Sequence, residues 1–286
     1  MATSDDKSAL GALDVPLQVG MPALPDRTEA IKACQRLLAA QGFKPGAIDG
    51  VFGLGTQAAV MAFQRSEGLL ADGVVGARTG AALLGSKGAP AAPLPSVMDQ
   101  ITVAVVSQMF PHTAVGSIKK NLPFVLDALA AAGLSDRLMV LAALGTIRAE
   151  TEGFVPISEG ISRYNTSPNG AAFDLYDNRR DLGNQGKPDG KNFCGRGFIQ
   201  LTGRANYTKY GPLLKPKQDL VNNPALAGDA AIAAQLLALF LKDQERPIKE
   251  ALLDQNFAKA RSCVNGGVHG LDRFVDAYKI GLRLTA

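Results

Sequence analysis

Apolar residues along this chain recur at spacings of three and four far more often than at alternate positions, and that pattern predicts helices. Segments 122–132, 136–152, 225–242 and 248–264 each carry a helix-length apolar face, and strand-like alternation is scarce. Earlier, Ile31, Leu37, Leu38 and Phe43 mark another amphipathic helix, which Gly42 and Pro45 help to close. Over 156–195 the pattern lapses into a long, polar, glycine-rich stretch. A loop of that length inside a compact domain is more often functional than idle. The expected fold class is mainly α, with an irregular middle region that lines a cleft.

A duplication organises the first part of the chain. Asp49-Gly50-Val51-Phe52-Gly53-Leu54-Gly55-Thr56 is matched by Asp72-Gly73-Val74-Val75-Gly76-Ala77-Arg78-Thr79, both reading D-G-V-x-G-x-x-T. The reading is a turn feeding a helix: Asp-Gly makes the turn, the second glycine permits positive φ, and the threonine caps the helix. Val60, Phe63, Leu69 and Leu70 lie between the copies and supply core. The Pro, Ala and Gly content of 85–95 cannot build a core and reads as a linker. The expected division is a flexible tail over 1–26, a small helical domain over 27–84, a linker over 85–97 and a larger helical domain over 98–286.

Composition narrows the function classes. The chain has 286 residues, 20% charged and 47% apolar, enough for two domains with separate cores. A net charge of +4 without any run of Lys or Arg gives nucleic-acid binding no support. The longest apolar stretches, such as 236–241, are too short to cross a bilayer, so no membrane insertion is expected. The first ten residues are polar and acidic, which predicts synthesis without a signal peptide. Cys34, Cys194 and Cys263 are scattered and odd in number, so reduced thiols are expected. Only two histidines occur, with no H-E-x-x-H pattern, and neither a metal nor an organic cofactor is expected.

Two carboxylates carry the candidate chemistry. On the helix over 136–152, Met139, Ala143, Thr146, Ile147 and Glu150 share one face, so a carboxylate ends a mostly apolar stripe at a helix C-terminus. Partial burial and the negative end of the helix dipole both help a carboxyl keep its proton, as a general acid requires. Gly153 and Pro156 break the helix, and Glu159 follows in a polar setting that suits a base. Pairs of carboxyls in contrasting surroundings are what acid–base glycoside cleavage needs. Glu152 lies four residues after Arg148 and reads as a structural ion pair.

Family resemblance sharpens both halves. Residues 27–84, with "QRLLAAQGFKPGAIDGVFGLGTQAAVMAFQ", resemble the three-helix peptidoglycan-binding domain attached to wall hydrolases. The runs "AETEGFVPISEGISRYNTS", "GRGFIQLTGRANYTKYG" and "CVNGGVHGLDRF" are similar to glycoside hydrolase family 19, which holds chitinases and lysozyme-like phage endolysins. That resemblance implies a helical, lysozyme-like glycosidase domain that inverts anomeric configuration, with carboxyls about 6.5–9.5 Å apart. It implies Glu150 as general acid, Glu159 as general base and Thr202 as a holder of the attacking water. Gln200, Asn206 and Asn265 would bind sugar hydroxyl and acetamido groups, and Gly195 and Gly197 would let the backbone approach the substrate. The family's His and first Gly are here Ala149 and Glu152, so Glu152 stays open as an alternative acid. The chain has no Trp, and stacking on sugars would fall to Tyr164, Tyr176, Phe193, Phe198 or Tyr207, each of which reads equally well as core. The expected activity is endolysin-type hydrolysis of peptidoglycan glycan strands by a monomer. It would be made in a host cytoplasm and act on the wall, in the periplasm, after holin-type release or specialised secretion. A chitinase of the same fold and a non-catalytic wall-binding protein are the alternatives.

Overall fold

The computed structural model describes residues 4–11, 16–20, 24–85 and 94–285. Its helices run α1 (Ser4–Gly11), α2 (Pro25–Ala40), α3 (Leu54–Ser66), α4 (Ala77–Leu83), α5 (Val103–Met109), α6 (Val115–Ala131) and α7 (Arg137–Glu150), then α8 (Asp189–Asn192), α9 (Arg204–Tyr210), α10 (Ala230–Asp243), α11 (Glu245–Leu253), α12 (Phe257–Asn265) and α13 (Leu271–Leu284). The two short strands β1 (Ile157–Ser158) and β2 (Arg196–Gly197) pair antiparallel, Ile157 opposite Gly197 and Ser158 opposite Arg196. The fold is mainly α. Among the described residues no helix is long and apolar enough to cross a membrane.

The chain divides into two units, the first comprising Met1–Pro93 with Arg246–Ala260 and the second Leu94–Glu245 with Arg261–Ala286. Segment 246–260, which the sequence places in the second domain, thus groups with the first. Asp254 explains why: its Oδ1 accepts the Arg78 N–H at 2.9 Å, beside Gly76, where a Cβ would sit only 2.5 Å from that of Asp254. Arg246 also donates to the Gly68 carbonyl, and Glu250 lies 3.6 Å from Arg78. Burial pushes the Asp254 carboxyl above its ordinary value.

The described part of 1–26 is not a free tail. Leu10 and Leu17 are buried, Leu17 forms a two-bond bridge with Val75, and Arg36 clamps the buried Asp6 through Nε at 2.8 Å and Nη2 at 2.6 Å. Enough apolar side chains lie before Pro25 to join the core of Ile31, Leu38, Val60 and Phe63. Of the linker, 86–93 lies outside the described residues.

Each sequence repeat closes around a buried glutamine from the preceding helix. Gln35 Nε2 donates to Asp49 Oδ1, the Val51 carbonyl and Thr56 Oγ1, while its Oε1 accepts the Gly50 N–H. Gln64 repeats this with Asp72, Val74, Thr79 and Gly73. The sequence reading therefore needs two corrections. Thr56 and Thr79 are glutamine partners, the N-caps being Gly53 and Gly76. Positive φ falls on the first glycine of each copy, Gly50 at +78° and Gly73 at +73°, where a Cβ would strike Thr28 and Gln57 respectively.

In the second unit α7 is buried almost all round, from Met139 to Ala149. A helix so enclosed is the centre of its domain. Asp136 caps it by accepting the Met139 N–H at 3.2 Å. Gly145 and Gly281 let α7 and α13 pack closely, since a Cβ on Gly145 would press on the Phe274 ring at 3.0 Å and one on Gly281 would meet Leu141 at 2.5 Å. α10 packs on α6, and Asp229 caps α10 through the Ala231 and Ile232 N–H groups. The helix expected over 248–264 is two, α11 and α12, because Gln255 takes φ +56° and Asn256 turns its Oδ1 to the Lys259 N–H.

Candidate active site

Glu150 is the last residue of α7, so the buried helix that centres the domain fixes its backbone. Its surroundings are not purely apolar, as the sequence suggested. Arg261 on α12 has no exposed side-chain surface and reaches Glu150 Oε1 with Nη2 at 2.5 Å. Arg261 Nε donates to the His269 carbonyl at 2.9 Å, and Asn265 Nδ2 donates to the same oxygen at 3.1 Å. Arg261 Nη1 is buried without a partner among the described residues. One guanidinium thus ties the end of α7 to the Asn265–His269 turn.

Glu152 does not pair with Arg148. Arg148 turns inward to the Met109 carbonyl at 2.5 Å and pairs with Asp276 at 2.7 Å, whereas Glu152 meets Arg273 at 3.1 Å. The cause is local: the helix ends at Glu150, and Glu152 takes φ +48°, which breaks the i,i+4 geometry. Its side chain remains nearly half exposed, against 13% for Glu150.

Glu159 follows β1 directly and is held by three donors. Asn165 Nδ2 and the Tyr176 hydroxyl each donate to Oε1 at 2.9 Å, and the Gly195 N–H donates to Oε2 at 3.0 Å. The Glu159 N–H in turn donates to the Gly195 carbonyl at 2.7 Å, continuing the β1–β2 pairing by one residue. Tyr176, considered above as a stacking residue, is thus a positioning group for Glu159. Burial, then the hydrogen bond to Glu159, push its hydroxyl up to about 12, so it stays a proton donor across the ordinary pH range.

Gly195 is the hub of this corner. A Cβ there would lie 3.0 Å from Gln200 Oε1, 3.2 Å from Glu159 Oε2 and 3.3 Å from Thr202 Oγ1. Three oxygens from the predicted set therefore converge on one glycine that has no side chain to separate them. Thr202 donates its hydroxyl to the Gln200 carbonyl at 2.8 Å. The amide nitrogens of the predicted sugar binders are committed to backbone: Gln200 Nε2 to the Ile157 and Gly197 carbonyls, and Asn206 Nδ2 to the Thr202 carbonyl. These side chains shape the loops around Glu159, and Gln200 adopts φ +53° to do so.

Of the predicted aromatic contacts, Tyr207 is excluded. It has no exposed surface, its hydroxyl donates to the Cys194 carbonyl and accepts from Arg196, and its ring packs edge-on against Phe193. Phe193 and Phe198 are buried too. Tyr164 is 73% exposed, beside Arg163, and is available to a ligand. Burial raises the Cys34 thiol to about 12 and lifts Cys194 as well, which makes both poor nucleophiles.

Sequence reasoning missed Arg261 and Asn165. Arg261 lies 111 residues from its carboxylate partner, and only the tertiary fold joins them. Asn165, six residues after Glu159 and with no exposed surface, stands in the polar run that had already drawn attention as functional.

Comparison with known proteins bears on both units. Residues 27–83 match the sequence profile of the family described as "Putative peptidoglycan binding domain". A "Glycosyl hydrolase family 19 domain-containing protein" from Haemophilus influenzae is 23% identical over 205 residues, covering 63% of this chain and 94% of that protein. Among solved structures, chitinase C from Streptomyces griseus HUT6037 aligns at a TM-score of 0.48 and 21% identity, over 69% of this chain and 79% of its own. A Burkholderia AP3 phage endolysin aligns over 94% of this chain and 98% of its own, at a TM-score of 0.27 and 18% identity. The chain is modular: a peptidoglycan-binding type of module precedes a region similar to a family 19 glycosyl hydrolase protein.

Proposed function

We propose that this chain is a peptidoglycan hydrolase of the endolysin type, cutting β-1,4 glycosidic bonds of the glycan strand with two glutamates. Glu150 protonates the leaving oxygen. Glu159 takes a proton from a water that Thr202 helps to hold, and that water's oxygen attacks the anomeric carbon from the opposite face. Both carboxyls then reset through solvent. The observation that carries the reading is the cradle around Glu159, where Asn165, Tyr176 and the Gly195 N–H hold the carboxylate and Thr202 Oγ1 comes to the same glycine. Arg261, 2.5 Å from Glu150, pairs with its carboxylate between turnovers, and Glu150 takes up from solvent the proton that it delivers.

The first unit holds the enzyme on its polymer and raises the local concentration of cleavable bonds. It acts as a monomer on the cell wall, reached from the cytoplasm by holin-type release or specialised secretion. The test is mass spectrometry of soluble fragments released from purified peptidoglycan, with colloidal chitin in parallel. Wild type should give new N-acetylmuramic acid reducing ends, first in the inverted anomeric form by NMR. Glu150→Gln and Glu159→Gln should release nothing while still folded and wall-bound. An active Glu150→Gln, or release from chitin alone, would show the reading to be wrong.

A further inference from the structure

Two cavities in the second unit adjoin along the seam of α6 and α10. One, of about 680 Å³, is lined by Lys120, Asn121, Phe124, Pro156 and Asp229 among others. The next, of about 270 Å³, is lined by Asp127, Ala131, Lys215 and Gln235, and Phe124 and Ala231 belong to both. They form one groove. Lys120, Phe124, Asp127 and Ala131 fall at i, i+4, i+7 and i+11 of α6, a single stripe along one wall. Its length is about 16 Å at the helical rise, the reach of roughly five residues of extended peptide.

The groove's chemistry is mixed. Lys120 lines the first cavity, Asp127 and Lys215 line the second, and the 40%-exposed ring of Phe124 is shared by both. All three charged residues are exposed, and among the described residues none has an ion-pair partner. Asp229 is occupied as the cap of α10. Asn121 lies in the wall, nine-tenths and more buried. Its Nδ2 is spent on the Ser117 and Phe154 carbonyls, while Oδ1 has no partner. Pro156 lies three residues before Glu159 along β1, roughly 10 Å at the strand rise.

We propose that this groove binds the peptide stem carried by the glycan strand, laid out in extended form. Lys120 and Lys215 take its carboxylates, Asp127 takes its amine, and Phe124 covers its small apolar side chains. A neutral chain of N-acetylated sugars offers no charge to any of the three. The inference rests on the peptidoglycan reading above and deepens it, since a peptide-reading groove separates peptidoglycan from chitin.

The direct test is calorimetric titration of the full chain with a peptide that has no glycosidic bond, N-acetyl-L-alanyl-γ-D-glutamyl-L-lysyl-D-alanine. Wild type should bind it, more weakly as salt rises. Lys120→Glu and Lys215→Glu should each weaken binding several-fold, and together on the order of tenfold or more. A wild type that ignores the peptide, or a double variant with unchanged Kd, overturns the proposal. So does a neutral chitin oligosaccharide whose binding falls equally in the variants. In hydrolysis, the ratio of kcat/KM for peptide-bearing over amidase-stripped strands should exceed one in wild type and fall in the double variant; an unchanged ratio counts against the groove. If neither strand is cut, the hydrolase reading fails and the calorimetry alone judges the groove.

Discussion

Replacing Arg261 by methionine tests the core of the acid's environment. The guanidinium has no exposed surface, and it donates to Glu150 Oε1 at 2.5 Å and to the His269 carbonyl at 2.9 Å. Removing one partner of a buried pair costs about 3–5 kcal/mol, mostly because the other charge is left uncompensated. Glu150 keeps 13% of its side-chain surface, so water can partly replace the arginine and the lower end of that range applies, about 3 kcal/mol. At roughly 2–4 °C per kcal/mol for a unit of this size, the melting temperature should fall by about 6–12 °C. The chain has no Trp, so the melt is best followed by far-ultraviolet circular dichroism. Glu150→Gln alone strands the arginine instead and should also destabilise. The double variant Arg261→Met with Glu150→Gln buries neither charge, and should be more stable than the sum of the single losses by about 2 kcal/mol. Hydrolysis by Arg261→Met should drop on the order of 100-fold, since the acid is no longer held in place. Single losses that add to within about 0.5 kcal/mol in the double variant would refute the coupling, and with it the role given to Arg261.

Two further expectations follow from the fold. Gln64→Leu keeps the size of the side chain but strands the Gly73 N–H and the Val74 carbonyl, at about 1–3 kcal/mol each. The first unit should lose roughly 3 kcal/mol of stability, and its pull-down on purified wall should fail at a lower temperature than wild type; an unshifted melt would mean the glutamine is not a structural lock. For pH dependence, Asp189 is held below the ordinary carboxylate range, chiefly by hydrogen bonds from Arg204 at 2.7 and 2.6 Å. A carboxyl depressed in the folded state stabilises fully above its unfolded value of about 3.9, and that contribution is lost as pH falls through the folded value. The stability gap between wild type and Asp189→Asn in urea melts should therefore be constant near pH 6 and shrink below about pH 4. A gap that persists unchanged at pH 3 would contradict it.

Helical periodicity and the duplicated D-G-V-x-G-x-x-T motif made the mainly α fold and the small first module legible. Those signals are local, and local spacing carries them. The break between α11 and α12 was not legible, because both halves share an apolar face and the left-handed Gln255 has no sequence mark of its own. Within the repeats the turns were visible, but their fastening was not. Gln35 and Gln64 look like ordinary polar helix residues until the fold brings Asp49 and Asp72 over them. Glu150 stood out because it ends an apolar helical stripe, and Glu159 because it follows the helix break in a polar stretch. Their partners, Arg261 and the Gly195 N–H, come from 111 and 36 residues away, and no pattern along the chain announces such meetings. Tyr207 failed as a ligand contact for a related reason: an aromatic on a short helix reads identically whether it faces a cleft or the core.

The glutamine locks also bear on the order in which the chain acquires structure as it leaves the ribosome. Gln35 finds its partners within 21 residues and Gln64 within 15, so both closures need only short loops. Asp254, by contrast, lies 176 residues beyond the Arg78 N–H that it meets. Synthesis runs from the N-terminus at roughly 5–20 residues per second, so the repeats are complete roughly 9–35 seconds before Asp254 emerges. Segment 246–260 therefore adds to a surface that is already formed, as a late-arriving clasp on a finished module.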